Sequence, residues 1–240
     1  MKTHLLIATA LVLGVTGTLK AQFTISDSRG GIPNVTGATL ETFDEASPSI
    51  LTLGGAAYLV TGGRGLPGYY YAPYYSGSTA AYFGESPDTG YDASQYVAVE
   101  TGGTATLTFS SPQNYLGLLW GSVDLGYNVL SFYDSNDQLI GTVSPSELTG
   151  VIYGGTAVNG TVYVNIDSSM PFSSVTMTTS GTIGDDTFEF DDVAYADVVP
   201  EPGSGALIAA GLGTLGILLR RKKVLVSSYY VHNCRSNERY

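Results

Sequence analysis

The sequence predicts an all-β protein: an antiparallel β-sandwich, with a jelly roll as the expected arrangement, carrying an apolar segment at each end. Three observations carry this prediction. Between Gln22 and about Val199 the hydrophobic residues come in short runs that alternate with polar ones, as half-buried strands require. Glycine, proline, asparagine and aspartate punctuate the runs. No amphipathic helix of three turns interrupts them.

Taken in order, residues 22–38 read as a polar, glycine-rich lead-in, and the sandwich is expected over 39–197. Thr39–Asp44 alternates and ends in acids, the mark of a first strand with carboxylates at its end. Ser49–Leu53 and Ala56–Thr61 flank Gly54-Gly55, which predicts a hairpin. Gly62–Gly90 sets Tyr69, Tyr70, Tyr71, Tyr74, Tyr75, Tyr82 and Phe83 among glycines and prolines without a sustained period, so it reads as surface loops carrying aromatic rings. Gly63–Gly68 within it fits GxGxxG, but Pro67 spoils the helix that a nucleotide-binding loop must open, and no βαβ pattern surrounds it.

Strands resume at Gln95–Val99 and Thr104–Ser110, where Leu107 and Phe109 share one face. Tyr115–Asp124 is the most apolar segment and is expected centrally, with Leu116, Leu118 and Trp120 inward. Val129–Asp134 and Gln138–Val143 flank Ser135-Asn136-Asp137, a hairpin turn. Val162, Val164 and Ile166 are predicted inward on one strand, and Val175 and Met177 on another. Phe188–Tyr195 closes the domain.

Both ends read as export signals. Lys2, the apolar run Leu5–Val15 and Leu19-Lys20-Ala21 give residues 1–21 the charged, hydrophobic and cleavage regions of a secretory signal peptide; the alternative is a buried N-terminal helix. At the other end, Pro200-Glu201-Pro202 precedes the apolar run 206–219 and the basic cluster Arg220, Arg221, Lys222 and Lys223. Fourteen residues make about 21 Å of helix, short against about 30 Å of hydrocarbon, and the basic cluster marks the cytoplasmic side. The two prolines keep the segment before the helix extended, a shape a protease cleft can read.

Residues 198–223 resemble the PEP-CTERM sorting signal of bacterial exosortase-dependent proteins. That resemblance implies transient membrane anchoring of a precursor, release by an exosortase-type processing protease, and a destination at the cell surface or in the extracellular space. An ordinary C-terminal transmembrane helix is the alternative. Residues 224–240 extend past the basic cluster, and no role is assigned to them. The core also resembles a cyanobacterial-type group of exosortase-dependent surface proteins, through Phe43-Asp44, Tyr115–Asp124, Asn128–Tyr133 and the closing Phe188–Ala194. This likeness implies a secreted β-sandwich and supplies no catalytic residue.

Composition excludes whole classes of function. The segment 22–199 holds nineteen acids against only Arg29 and Arg64, a net charge of −17, which repels nucleic acid and anionic lipid. His4, His232 and Cys234 all lie outside it, which removes histidine-based nucleophilic triads, zinc sites built on histidine or cysteine, and disulfides. Catalysis would have to use carboxylates or tyrosines.

Three constellations remain as candidates. In Asp185–Asp192, strand parity turns Asp192 inward with Phe188 and Phe190, a costly burial unless the carboxylate is satisfied. Either a β-bulge at Asp191-Asp192 turns the acids outward, or Asp191 and Asp192 bind a structural Ca²⁺ with Glu41 and Asp44 from the first strand. Tyr69, Tyr70, Tyr74 and Tyr75 are candidates to stack on sugar rings of an extracellular polysaccharide. A carboxylate glycosidase needs only two acids at a set separation, which sequence does not give. Asn34-Val35-Thr36 and Asn159-Gly160-Thr161 fit the glycosylation acceptor pattern, which carries little weight in a bacterial chain. Taken together, the sequence predicts a non-enzymatic exported protein of structural or adhesive role, with a carbohydrate-binding module next and a glycosidase third.

Overall fold

The computed structural model describes residues 20–62, 70–150, 160–181 and 186–198. Residues 1–19 of the predicted leader, residues 199–223 of the sorting tail, Tyr69 and the extension at 224–240 lie outside the described residues. Among the described residues no helix is long and apolar enough to cross a membrane.

Among the described residues twelve strands pair antiparallel throughout: β1 (Phe23–Ser28), β2 (Thr39–Glu41), β3 (Leu51–Gly54), β4 (Ala57–Thr61), β5 (Tyr74–Tyr75), β6 (Gly90–Tyr91), β7 (Gln95–Val99), β8 (Thr104–Gly121), β9 (Asn128–Tyr133), β10 (Leu139–Val143), β11 (Val162–Thr179) and β12 (Phe188–Ala196). A short α-helix, α1 (Thr79–Phe83), stands between β5 and β6, and a 3-10 turn, Pro145–Glu147, follows β10. Two strands of 18 residues, β8 and β11, build the sandwich because each belongs to both layers. The first half of β8 and the second half of β11 lie in one layer, ordered β10-β9-β11-β8-β3. The other halves lie in the second layer, where β1 flanks β11, and β8 meets β12, which is followed by β7 and β4, with β2 along the end of β12.

The bend between layers is visible in side-chain parity. Along β8 the core takes Ala105, Leu107 and Phe109, then Leu116, Leu118 and Trp120, so the inward set passes from odd to even numbers. On β11 it takes Val162, Val164 and Ile166, then Val175 and Met177. The β8–β11 register shifts between Asp167 and Phe172 and again before Ser174, the irregularity a strand uses to turn a corner. Every inward residue predicted on these strands is in the core. Trp120 stacks on Phe188 with ring centroids 4.6 Å apart, and Phe190 meets Phe43 edge-on.

The hairpin predicted around Asp137 forms as β9–β10. Asp134 accepts from the amides of Asn136 at 2.8 Å and Gln138 at 2.9 Å, and Asp137 takes the left-handed conformation at φ 58°.

Two expectations are corrected. The supposed lead-in contains β1, whose Phe23 and Ile25 pack against the core while Thr24 and Ser26 face out, so the folded domain begins near residue 23 rather than 39. The predicted hairpin at Gly54-Gly55 is a crossing between layers: β3 pairs with β8, and β4 pairs with β7. Gly55 at φ 63° makes that crossing, with the Gly102 carbonyl 2.3 Å from where a Cβ would sit.

Candidate functional site

The site follows from how β12 resolves its parity conflict. Phe188 and Phe190 enter the core, then Asp192 adopts φ 50° and the β12–β8 register shifts between Asp191 and Ala194. This is a bulge; it returns Val193 to the core and leaves Tyr195 packed against it. The acids turn away from the sandwich core, as a bulge requires. They do not reach solvent: Asp191 and Asp192 are both 0% exposed.

The cover is the tyrosine-rich segment. Residues 70–92 fold over the outer face of the second layer, where Tyr75 and Ala80 pack with Leu119 and Tyr163, and Ala72, Tyr70 and Tyr91 pack with Tyr96 and Ala98. Gly117 on this face admits no larger residue, because a Cβ would stand 2.6 Å from the hydroxyls of both Tyr115 and Tyr163. Tyr75, predicted to present its ring to sugar, is fully buried. Tyr70 and Tyr74 are half-buried, and Tyr74 makes an edge-on pair with Tyr91 at 5.4 Å. Aromatic rings in a glycine-rich segment bury well because apolar area drives them onto the sheet, whatever the local period.

Under this cover five acids gather. Asp92, also 0% exposed, lies beside Asp191 and uses Oδ1 to accept the Ser94 amide at 2.8 Å, while its Oδ2 has no hydrogen-bond partner. All four carboxylate oxygens of Asp191 and Asp192 likewise lack a partner. The Tyr75 hydroxyl stands beside Asp192 without closing a hydrogen bond of ordinary geometry. Half-buried Glu85 and exposed Asp44 continue the group to the surface. Burial pushes Asp191 far above the ordinary carboxylate range, with the charges of Asp192 and Asp92 adding to it. Burial likewise raises Asp192, helped by Glu85 and Asp92. Glu85 is pushed up to about 7, by desolvation first and then by Asp44.

The predicted metal set is therefore divided. Asp191, Asp192 and Asp44 come together, whereas Glu41 is engaged elsewhere: its Oε1 accepts the Phe43 amide at 2.9 Å, in a turn that holds Phe43 at φ 57°. Sequence reasoning missed Asp92 and Glu85. The Asp92-Ala93-Ser94 turn was readable as an Asx turn, but nothing local says that it folds beneath Tyr75. Among the described residues, no three histidine, cysteine, aspartate or glutamate side chains are grouped so that they could hold a metal ion as they stand.

A further buried acid, apart from this group, lies on the same outer face. Glu189 accepts the Tyr71 amide at 2.9 Å through Oε1, and burial raises its pKa well above the usual range. At the end of β12, Val198 donates its amide to Asn114 Oδ1 at 2.6 Å, and Asn114 Nδ2 donates back to the Val198 carbonyl. Pro200, Glu201, Pro202 and the basic cluster Arg220–Lys223 lie outside the described residues.

Comparison with known proteins adds one sequence match. A family profile described as the PEP-CTERM protein-sorting motif matches residues 198–223, so the chain carries the signal of an exported, membrane-processed protein. No characterised protein matches the chain by sequence. Among solved structures, the K2 cleaved adhesin domain of Lys-gingipain aligns at TM-score 0.42 with 10% identity, over 67% of this chain and 99% of its own. CsCBM6-3 from Clostridium stercorarium, solved with cellobiose, aligns at 0.33 with 11% identity over 67% and 94%. The CBM22-1 xylan-binding domain from Paenibacillus barcinonensis aligns at 0.35 with 9% identity over 72% and 99%.

Proposed function

We propose that this chain is a non-enzymatic β-sandwich of structural or adhesive role, cut at Pro200-Glu201-Pro202 by an exosortase-type protease and left at the cell surface or in the extracellular matrix. One observation carries the reading: the sorting motif at 198–223 starts at Val198, the residue that the Asn114 side chain ties to the folded domain. A protease acting just beyond that tie would release the sandwich without cutting into a strand. The acids best gathered in the fold, Asp92, Asp191 and Asp192, are sealed under the tyrosine segment, which supports a non-catalytic reading. The test replaces Pro200, Glu201 and Pro202 together by alanine in a host that has the processing protease. A full-length form retained in the membrane fraction is expected, and unchanged release of the sandwich overturns the assignment.

Binding of exopolysaccharide is the second reading, favoured by the half-buried rings of Tyr70, Tyr74 and Tyr91 on one outer surface. Affinity electrophoresis in gels cast with the host's own polysaccharide tests it. Retardation lost in Tyr74→Ala supports a binding module, and migration indifferent to the polymer removes it. Release of reducing ends would point instead to the glycosidase.

A further inference from the structure

Apart from its sorting, the molecule contains an arrangement that is unfavourable as it stands. Three carboxylates from two distant parts of the chain, Asp92 before β7 and the Asp191-Asp192 bulge of β12, are fully buried against one another. Five of their six oxygens have no hydrogen-bond partner, and the charges acting most strongly on Asp191 and Asp192 are all negative. An unpaired buried carboxylate costs several kcal/mol, and three together cost more, so they must be neutralised either by protons or by a bound cation. The segment 22–199 contains no lysine, and Arg29 and Arg64 are its only cationic side chains.

We propose that Asp92, Asp191 and Asp192 bind one Ca²⁺ ion, which enters past Asp44 and Glu85 and ties the tyrosine segment to the β12 bulge. The ligand chemistry selects the ion. Only oxygen donors are present, which suits hard cations and not zinc or copper. Calcium accepts six to eight oxygens at varied angles, whereas magnesium demands a near-ideal octahedron that neighbouring aspartates on a bulge are ill placed to supply. The three acids do not converge on a common point as they stand, so binding requires their side chains to rotate, with the Tyr75 hydroxyl, backbone carbonyls and water completing the shell. The route inward is graded from exposed Asp44 through half-buried Glu85 to the sealed aspartates. Tyr75 is the diagnostic neighbour, since a lanthanide bound beside a tyrosine is excited through its ring.

The experiment uses the full chain, purified in detergent and stripped with chelator, at fixed ionic strength. Terbium should give tyrosine-sensitised emission that Ca²⁺ displaces. Ca²⁺ at about a hundred times its dissociation constant should raise the melting temperature by roughly 5–10 °C, with Mg²⁺ much weaker. Asp191→Asn should lose both responses yet melt higher than the unaltered chain in chelator, because it removes a repelling charge. Glu41→Gln should keep both responses. If Asp191→Asn does not fold, Asp92→Asn and calorimetric titration of the unaltered chain replace it. Equal shifts with Ca²⁺ and Mg²⁺, or a full Ca²⁺ response in Asp191→Asn, would overturn the site. So would the absence of any Ca²⁺ response at 10 mM, which would leave protons as the counterpart.

Discussion

Asn114 and Val198 hold each other by two opposed hydrogen bonds, one donated by the Val198 amide at 2.6 Å and one returned by the asparagine side chain to the Val198 carbonyl. An amide side chain has both the donor and the acceptor that this exchange needs. Asn114→Ala should therefore cost about 1–2 kcal/mol, near the low end because the freed backbone can turn to water. The melting temperature should fall by roughly 2–8 °C, and limited proteolysis should cut sooner around residues 196–200. Asn114→Asp, which keeps the acceptor and loses the donor, should fall between the two.

Stacking of Phe188 on Trp120 gives a test of the core. Both rings are fully buried, and Trp120 is the single tryptophan of the chain, so its emission reports on this contact alone. Phe188→Ala should cost about 3–5 kcal/mol and red-shift the emission as water reaches the indole. Phe188→Leu should cost less than half as much. An unshifted spectrum in the alanine variant would show that the stack is not as described.

Asp137 carries backbone strain in an exposed turn, with φ at 58°. Glycine takes this conformation without penalty. Asp137→Gly should raise the melting temperature by roughly 1–4 °C, and Asp137→Val should lower it, because a β-branched residue resists positive φ. Equal melting of the two variants would contradict the turn.

Asp124 supplies a pH dependence separate from the sealed aspartates. Burial, with the charge of Asp186 behind it, pushes its pKa up to about 7 in the folded chain. The unfolded value is about 3.9, so between pH 4 and 7 the folded state holds a proton that the unfolded state has lost. Stability from this group is full below pH 4 and is lost as pH rises to 7. Urea denaturation should show Asp124→Asn with a shallower decline over that window and greater stability than the unaltered chain at pH 8. A slope identical in the two proteins would exclude Asp124 as a contributor.

Sequence alternation was sufficient wherever a strand faces the core on one side only. Leu107, Phe109, Leu116, Leu118 and Trp120 were assigned inward from period alone, and the core holds all five. Period did not reveal that the first two and the last three lie on one strand that turns a corner, because the turn is made by residues 110–114, which have no pattern of their own. It misplaced β3 and β4 because a two-glycine link suits a hairpin and a layer crossing equally well, and partner choice is set by distant β7 and β8. The conflict at Asp191-Asp192 was legible, and so was its remedy by a bulge. The tyrosine-rich cover over the bulge was not legible. Residues 70–92 have no period, so nothing in them said that Tyr75 would close over the bulge or that Asp92 would arrive beneath it.

The passage of β8 through both layers also decides how the molecule responds to force. A protein held through its C-terminal end and dragged by its surroundings receives the load along β12, whose hydrogen bonds to β8 on one side and to β7 and β2 on the other are then strained in shear. Bonds loaded in shear must fail together, whereas bonds peeled from an edge fail one at a time. The neighbour taking most of that load, β8, runs on into the opposite layer and shares it with β3 and β11. Resistance to pulling is therefore spread across the whole sandwich, and the rate of forced unfolding is set by rupture of its centre rather than by fraying at its rim.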